Sequence, residues 1–135
     1  MSQSNNNPYY YASMKELPDN NPKTAVAATK QKMSDVPTVA LFALGAAMSD
    51  GANKYGRYNY RDTNVTASVF YDAMMRHLTT WYNGEDYAPD SKVHHLAHVM
   101  ASCAIVLDAE LHAKFNDDRD ARMPCAIHKG MYMDK

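Results

Sequence analysis

A chain of 135 residues is expected to form one domain, with enough length to bury roughly two-thirds of its unfolded surface in a single core. Lys and Arg (14) almost balance Asp and Glu (15), so no global basic field draws it toward nucleic acid. No apolar run approaches a membrane span, and the polar, Asn- and Tyr-rich N-terminus has no apolar signal-peptide core. The expectation is therefore a soluble cytoplasmic domain with neither nucleic acid nor a membrane as partner.

Residues 1–35 carry Asn5-Asn6-Asn7, Tyr9-Tyr10-Tyr11 and three of the six prolines, with little periodicity. They read as an N-terminal arm, with a short helix over 24–32. A helical domain is expected over 36–115. Ser34 or Asp35 can cap its first helix with Pro37 in the first turn, and Val39, Leu41, Phe42, Leu44 and Met48 follow. Gly51 and Gly56 are expected to end it. The stretch 54–64 then reads as a basic, aromatic linker rich in amide side chains.

A second helix is expected over 65–82. At 100° per residue Phe70, Met74, His77, Leu78 and Trp81 share one face, with Asp72, Arg76 and Thr79 opposite. Asn83-Gly84 is its stop signal. A third helix is expected over 90–114, starting at Asp90 or Ser91. Its main apolar stripe is Val93, Leu96, Ala97, Met100, Cys103, Ala104, Leu107 and Leu111, while His94, His95, His98 and Ser102 point the other way. Apolar neighbours flank those histidines too, and a helix apolar nearly all round is usually buried on both sides. The two cysteines, Cys103 and Cys125, have no metal or redox spacing, and Cys103 reads as a small core residue of a reducing compartment. Residues 116–135 read as a loose C-terminal extension. No alternation is strong enough to predict a sheet. The fold class is all-α, an antiparallel bundle of three or four helices expected to be oligomeric, with extended N- and C-terminal arms.

The stretch 71–98 holds the densest chemistry. Four of the six histidines (His77, His94, His95, His98) and Asp72, Glu85, Asp86 and Asp90 fall there. Imidazole and carboxylate are the usual donors for a divalent metal of borderline or hard character, and such a metal assists attack on phosphate. His95 and His98 stand at i and i+3, and His94 and His98 at i and i+4. Both spacings chelate, but histidine-rich seams also serve as hydrogen-bonded interfaces. His77 on an apolar face reads equally as a satisfied core residue or as part of a site. Glu85, Asp86 and Asp90 surround one turn, where carboxylates are ordinarily solvated and Asp90 can simply cap a helix. Lys54, Arg57, Asn59 and Arg76 suit a phosphorylated ligand, with Tyr55, Tyr58 or Tyr60 stacking on a base; the bland reading is a solvated basic loop. A phosphate-cradling glycine loop, a nucleophilic-serine motif, His-Glu-x-x-His and an adjacent His-Asp pair are all missing.

In order and spacing, "GANKYGRYNYRD", "YDAMMRHLTTWYNGEDYAPDS" and "HHLAHVMASCAIVLD" resemble the phage-borne dATP/dGTP diphosphohydrolase domain, a relative of the MazG-like all-α nucleotide pyrophosphohydrolases. The resemblance covers about 36–110. Its most specific parts are Lys54-Tyr55-Gly56 with Asn59, Arg76-His77, Gly84-Glu85 and the His95/His98 pair. It implies a small all-α oligomeric enzyme that uses a divalent metal to cleave a purine deoxynucleoside triphosphate to monophosphate and pyrophosphate. On that reading Glu85, Asp86 and His77 are catalytic. Glu85, Asp86, Asp90, His95 and His98 hold Mg²⁺ or Mn²⁺, and Lys54, Tyr55, Arg57, Asn59 and Arg76 bind the nucleotide. The chain departs from the family turn Asp-Pro-Glu-Ser-Gly, which stands here as Ala88-Pro89-Asp90-Ser91-Lys92. Ser102 replaces a common Asn, and the Glu-Glu-x-x-Glu metal motif of the MazG enzymes is absent. These departures motivate the alternative, a non-catalytic phage protein that sequesters a nucleotide or a nucleotide-derived signal.

Overall fold

The structure, a computed structural model, describes residues 17–120. The chain divides into two units, residues 1–38 and residues 39–135. In the first, helix α1 (Pro22–Ala27) replaces the helix expected over 24–32. Pro22 at its first position and Asn21, whose side chain accepts from the Lys23 N–H at 2.9 Å, fix an earlier start. A 3₁₀ turn, Met33–Asp35, follows. The tyrosine triplet and Cys125 lie outside the described residues.

The second unit is predominantly helical. Helix α2 (Thr38–Tyr55) runs through Gly51 and ends at Gly56, whose φ of 93° is the left-handed conformation that closes a helix. The expected linker contains a short helix, α3 (Asn59–Asp62). Arg61 ties it down by a two-pronged ion pair to Asp108, at 2.9 and 3.2 Å. Helix α4 (Ala67–Tyr82) and helix α5 (His95–Leu111) pack along each other. The start of α4 and the end of α5 meet at one end, and His77 and His95 meet at the other, so the two run antiparallel.

Two corrections concern the ends of these helices. The first two residues of the expected second helix form a strand instead, β1 (Val65–Thr66), paired in parallel with β2 (Phe115–Asn116). Beyond β2, Asp118 accepts from the backbone N–H and the hydroxyl of Ser68, so a distant carboxylate supplies the N-terminal cap of α4. The first residues of the expected C-terminal extension are thus tied to the domain. The third helix begins at His95 rather than Asp90. His94 caps it, with Nδ1 accepting from the Leu96 N–H at 3.0 Å. Residues 86–94 form a folded loop in which Tyr87 bridges His94, the Ala88 N–H reaches the Val93 carbonyl and the Lys92 N–H returns to Ala88.

The core is made of small residues. Ala47 of α2 meets Ala97 and Ala101 of α5, with Ala43, Leu44, Met48, Val93 and Met100 around them. The largest fully buried side chain is Val65. On α4 the expected inner face holds, with Phe70, Met74, His77 and Trp81 half-buried and Leu78 at its exposed margin. On α5 the first part of the expected stripe holds, with Ala97 buried and Val93 and Met100 packed beside it. Its later part does not: Cys103, Leu107 and Leu111 are exposed, and His95, Ala101 and Ala109, outside the stripe, are buried. The sequence placed the histidines on a second buried face, and His95 does lie inside.

Candidate functional site

The end of α2, the loop into α3 and the facing sides of α4 and α5 enclose a cavity of about 880 Å³. That lies within the ~300–1,000 Å³ typical of small-molecule sites. Lys54 and Tyr55 close α2 and reach its wall, because Gly56 turns the chain immediately after them. Arg57 follows, with its guanidinium 4.9 Å from the centre of the Tyr58 ring and 3.1 Å from the Tyr58 hydroxyl. Asn59 and Tyr60 complete this rim, and Tyr58 and Tyr60 meet edge to face.

Lys54 Nζ sits between two carboxylates, 3.0 Å from Asp50 and 3.3 Å from Asp90. The Asp50 hydrogen bond, and next the Asp90 one, raise its pKa above the ordinary lysine value, so it presents a fixed positive charge. Asp90 is held below the usual carboxylate range, first by the Ser91 backbone N–H and then by Lys54.

Two imidazoles line the same cavity. His77 from α4 and His98 from α5 both line the cavity and stack, with ring centres 4.5 Å apart and planes 17° from parallel. Ser91 Oγ, which accepts from the Val93 N–H, lies 2.8 Å from His98 Nε2. His95, 5% exposed, lies behind them, with Nδ1 2.8 Å from His77 Nδ1 and Nε2 2.8 Å from Glu85 Oε1. Burial lowers the pKa of both His77 and His98, so both rings are held in the neutral form to lower pH than free histidine.

The structure therefore brings Lys54, Tyr55, Arg57, Asn59, His77, His98 and Asp90 to one cavity. Four expected site residues do not line it. Arg76 is exposed on α4. Asp86 contributes its backbone carbonyl, which accepts from the His95 N–H at 2.9 Å. Glu85 and His95 reach the cavity only through His77. The expected metal set is thus divided among the cavity wall (Asp90, His98), the interior (His95) and the surface (Glu85, Asp86). Among the described residues no three His, Cys, Asp or Glu side chains are grouped to hold a metal ion. Asp50 is the residue the sequence reading missed. Its signal was the i, i+4 spacing to Lys54 on one helix.

These elements define a helical protein with a cationic, aromatic and imidazole-lined pocket. The family model described as dATP/dGTP diphosphohydrolase, N-terminal, matches residues 20–119. The chain belongs to that diphosphohydrolase family, and the match is to its N-terminal domain. No curated protein and no solved structure matches it. Among the described residues no helix is long and apolar enough to cross a membrane.

Proposed function

We propose that this chain hydrolyses a purine deoxynucleoside triphosphate to its monophosphate and pyrophosphate, in the cytoplasm of a host cell where a phage carries it. The observation that carries the reading is the cavity itself. Lys54, Arg57, His77 and His98 line one volume that also presents Tyr55 and Asn59. The cations suit phosphate oxygens, Tyr55 suits a base face, and a neutral imidazole suits proton transfer from water. Family membership supports the substrate class.

The donor set does not fit a resident metal cage, since the five expected ligands are not grouped. Mg²⁺ or Mn²⁺ belongs in this reading as the ion a triphosphate carries with it. Such an ion takes most of its ligands from phosphate and water and needs only one or two protein carboxylates. Asp50 and Asp90 are the carboxylates on the cavity wall.

A homo-oligomer is part of the same reading. Phe42, Leu107 and Leu111 stand 80%, 53% and 86% exposed while the core is built of alanines, so a second copy has large apolar side chains to cover.

The test is incubation with each deoxynucleoside triphosphate and Mg²⁺ or Mn²⁺, with products resolved by chromatography. Monophosphate with equimolar pyrophosphate is expected, and purines are expected to be preferred. One observation favours a second reading, a nucleotide-sequestering binder. Ala88, 2% exposed, stands where the resemblance implies an acid, so on that reading this chain has one carboxylate fewer near the site. Stoichiometric binding with no product would select the binder.

A further inference from the structure

A carboxylate and two imidazoles form one hydrogen-bonded line that ends at the cavity. Glu85 Oε1 meets His95 Nε2 at 2.8 Å, and His95 Nδ1 meets His77 Nδ1 at 2.8 Å. A carboxylate only accepts, so the proton in the first bond belongs to His95 Nε2. With one proton per neutral ring, His95 Nδ1 keeps a lone pair. Two ring nitrogens at 2.8 Å need one proton between them, and it therefore sits on His77 Nδ1. His77 Nε2 is left with a lone pair. Among the described residues no hydrogen bond reaches this nitrogen. No buried side-chain nitrogen or oxygen of a non-exposed residue lacks a partner there either, so His77 Nε2 opens to the cavity that its ring lines.

We propose that Glu85 and His95 are positioning residues that lock His77 as its Nδ1–H tautomer, so that His77 Nε2 is the base for the attacking water. The base role rests on the hydrolytic reading above, whereas the tautomer rests on the geometry with His95 neutral. In the step, the water oxygen bonds to the α-phosphorus and one water proton passes to His77 Nε2. The bond from that phosphorus to the bridging oxygen breaks, and the electron pair leaves with pyrophosphate. The resulting imidazolium keeps its Nδ1–H on His95, with the Glu85 carboxylate at the far end of the line to balance the charge. Glu85, expected as a metal ligand, thus acts at one remove from the substrate.

Long-range ¹H–¹⁵N correlation of the imidazoles in the ¹⁵N-labelled full chain tests this, with His77 assigned by the signal missing from H77Q. Wild type is expected to show His77 protonated at Nδ1 and bare at Nε2. E85Q, which offers an amide oxygen to the same His95 N–H, is expected to keep that pattern. E85A releases the constraint and is expected to give a mixture of both His77 tautomers. His77 protonated at Nε2 in wild type, or an unmoved Nδ1–H pattern in E85A, would overturn the lock. Turnover is read separately on the same samples. E85A is expected to lose about 10²-fold in kcat with KM little changed, the usual scale of general-base help. Unchanged kcat in E85A would overturn the base role. A wild type that hydrolyses no deoxynucleoside triphosphate would sink the hydrolytic reading and the base role with it, while the spectra still judge the lock.

Discussion

His77 and His98 stack face to face from two different helices, 4.5 Å between ring centres. A stack of neutral rings is favourable, but two imidazolium rings at that distance repel. Both groups are held below the ordinary histidine value of 6.5. For His77 burial is the largest cause, followed by His98 and His95, with Asp90 opposing and Arg76 reinforcing. For His98 burial again leads, with Asp50 and Asp90 opposing and Lys54 and His95 reinforcing.

The sign of the pH effect follows. Below about pH 6.5 the unfolded chain binds protons that the folded chain resists, so stability rises with pH through that window and is lost as pH falls. Urea midpoints measured from pH 8 to pH 5 are expected to fall below pH 6.5. H98Q, which removes one titrating ring and the charge beside His77, is expected to fall less steeply. A wild-type midpoint that rises on acidification would refute the assignment.

Lys54 is shared by Asp50 and Asp90 in the free protein and must give up part of that pairing to hold phosphate. It is largely solvent-facing, and exposed pairs of this kind add little to stability, so K54A is expected to leave the fold intact. A charge-assisted hydrogen bond contributes roughly 1.5–3 kcal/mol, which corresponds to about 10- to 100-fold weaker nucleotide binding. Isothermal titration with a non-hydrolysable deoxynucleoside triphosphate checks this. The loss is expected to shrink at high salt as screening removes the wild-type advantage.

The loop between α4 and α5 carries a second legible tension. Lys92 has φ of 63°, the left-handed region that favours glycine. A side chain there costs about 1–2 kcal/mol, partly offset by the freedom a glycine loses on folding. K92G is therefore expected to stabilise the chain by about 1 kcal/mol, read as a higher urea midpoint with an unchanged slope.

That loop also shows where sequence reasoning stopped. The inner face of α4, its stop at Asn83-Gly84 and the end of α2 at Gly56 were legible, because periodicity and glycine chemistry act locally. Lys54, Tyr55, Arg57, Asn59, Asp90, His77 and His98 are all legible as site candidates in the sequence, and they meet at one cavity. The start of α5 was not legible. Asp90 and Ser91 look like caps, but the cap is His94, and residues 86–94 are held by contacts the local pattern does not encode. Two-residue strands are too short to show alternation. The buried side of α5 was misread at Cys103, Leu107 and Leu111, since a helix apolar all round gives no direction. Spacing groups Glu85 with the other donors because it shows which residues are near, and it cannot show that His95 stands between Glu85 and the cavity.

Alanines make the α2–α5 contact, and two of them, Ala47 and Ala101, line the cavity. Ala47 lies against Ala97 and Ala101, with no larger side chain between them. The same two helices carry Lys54 and His98 to the cavity. A97L inserts three extra heavy atoms at a position only 1% exposed. Overpacking of this kind costs about 1–3 kcal/mol and is relieved by moving the helices apart. A97L is therefore expected to lower the urea midpoint and also to weaken nucleotide binding, although residue 97 itself does not line the cavity. L111A provides the contrast. Leu111 stands 86% exposed on the same helix, so its truncation is expected to change monomer stability by no more than about 0.5 kcal/mol and to leave nucleotide affinity alone. Equal losses of affinity in A97L and L111A would mean that the alanine contact does not govern the distance across the site.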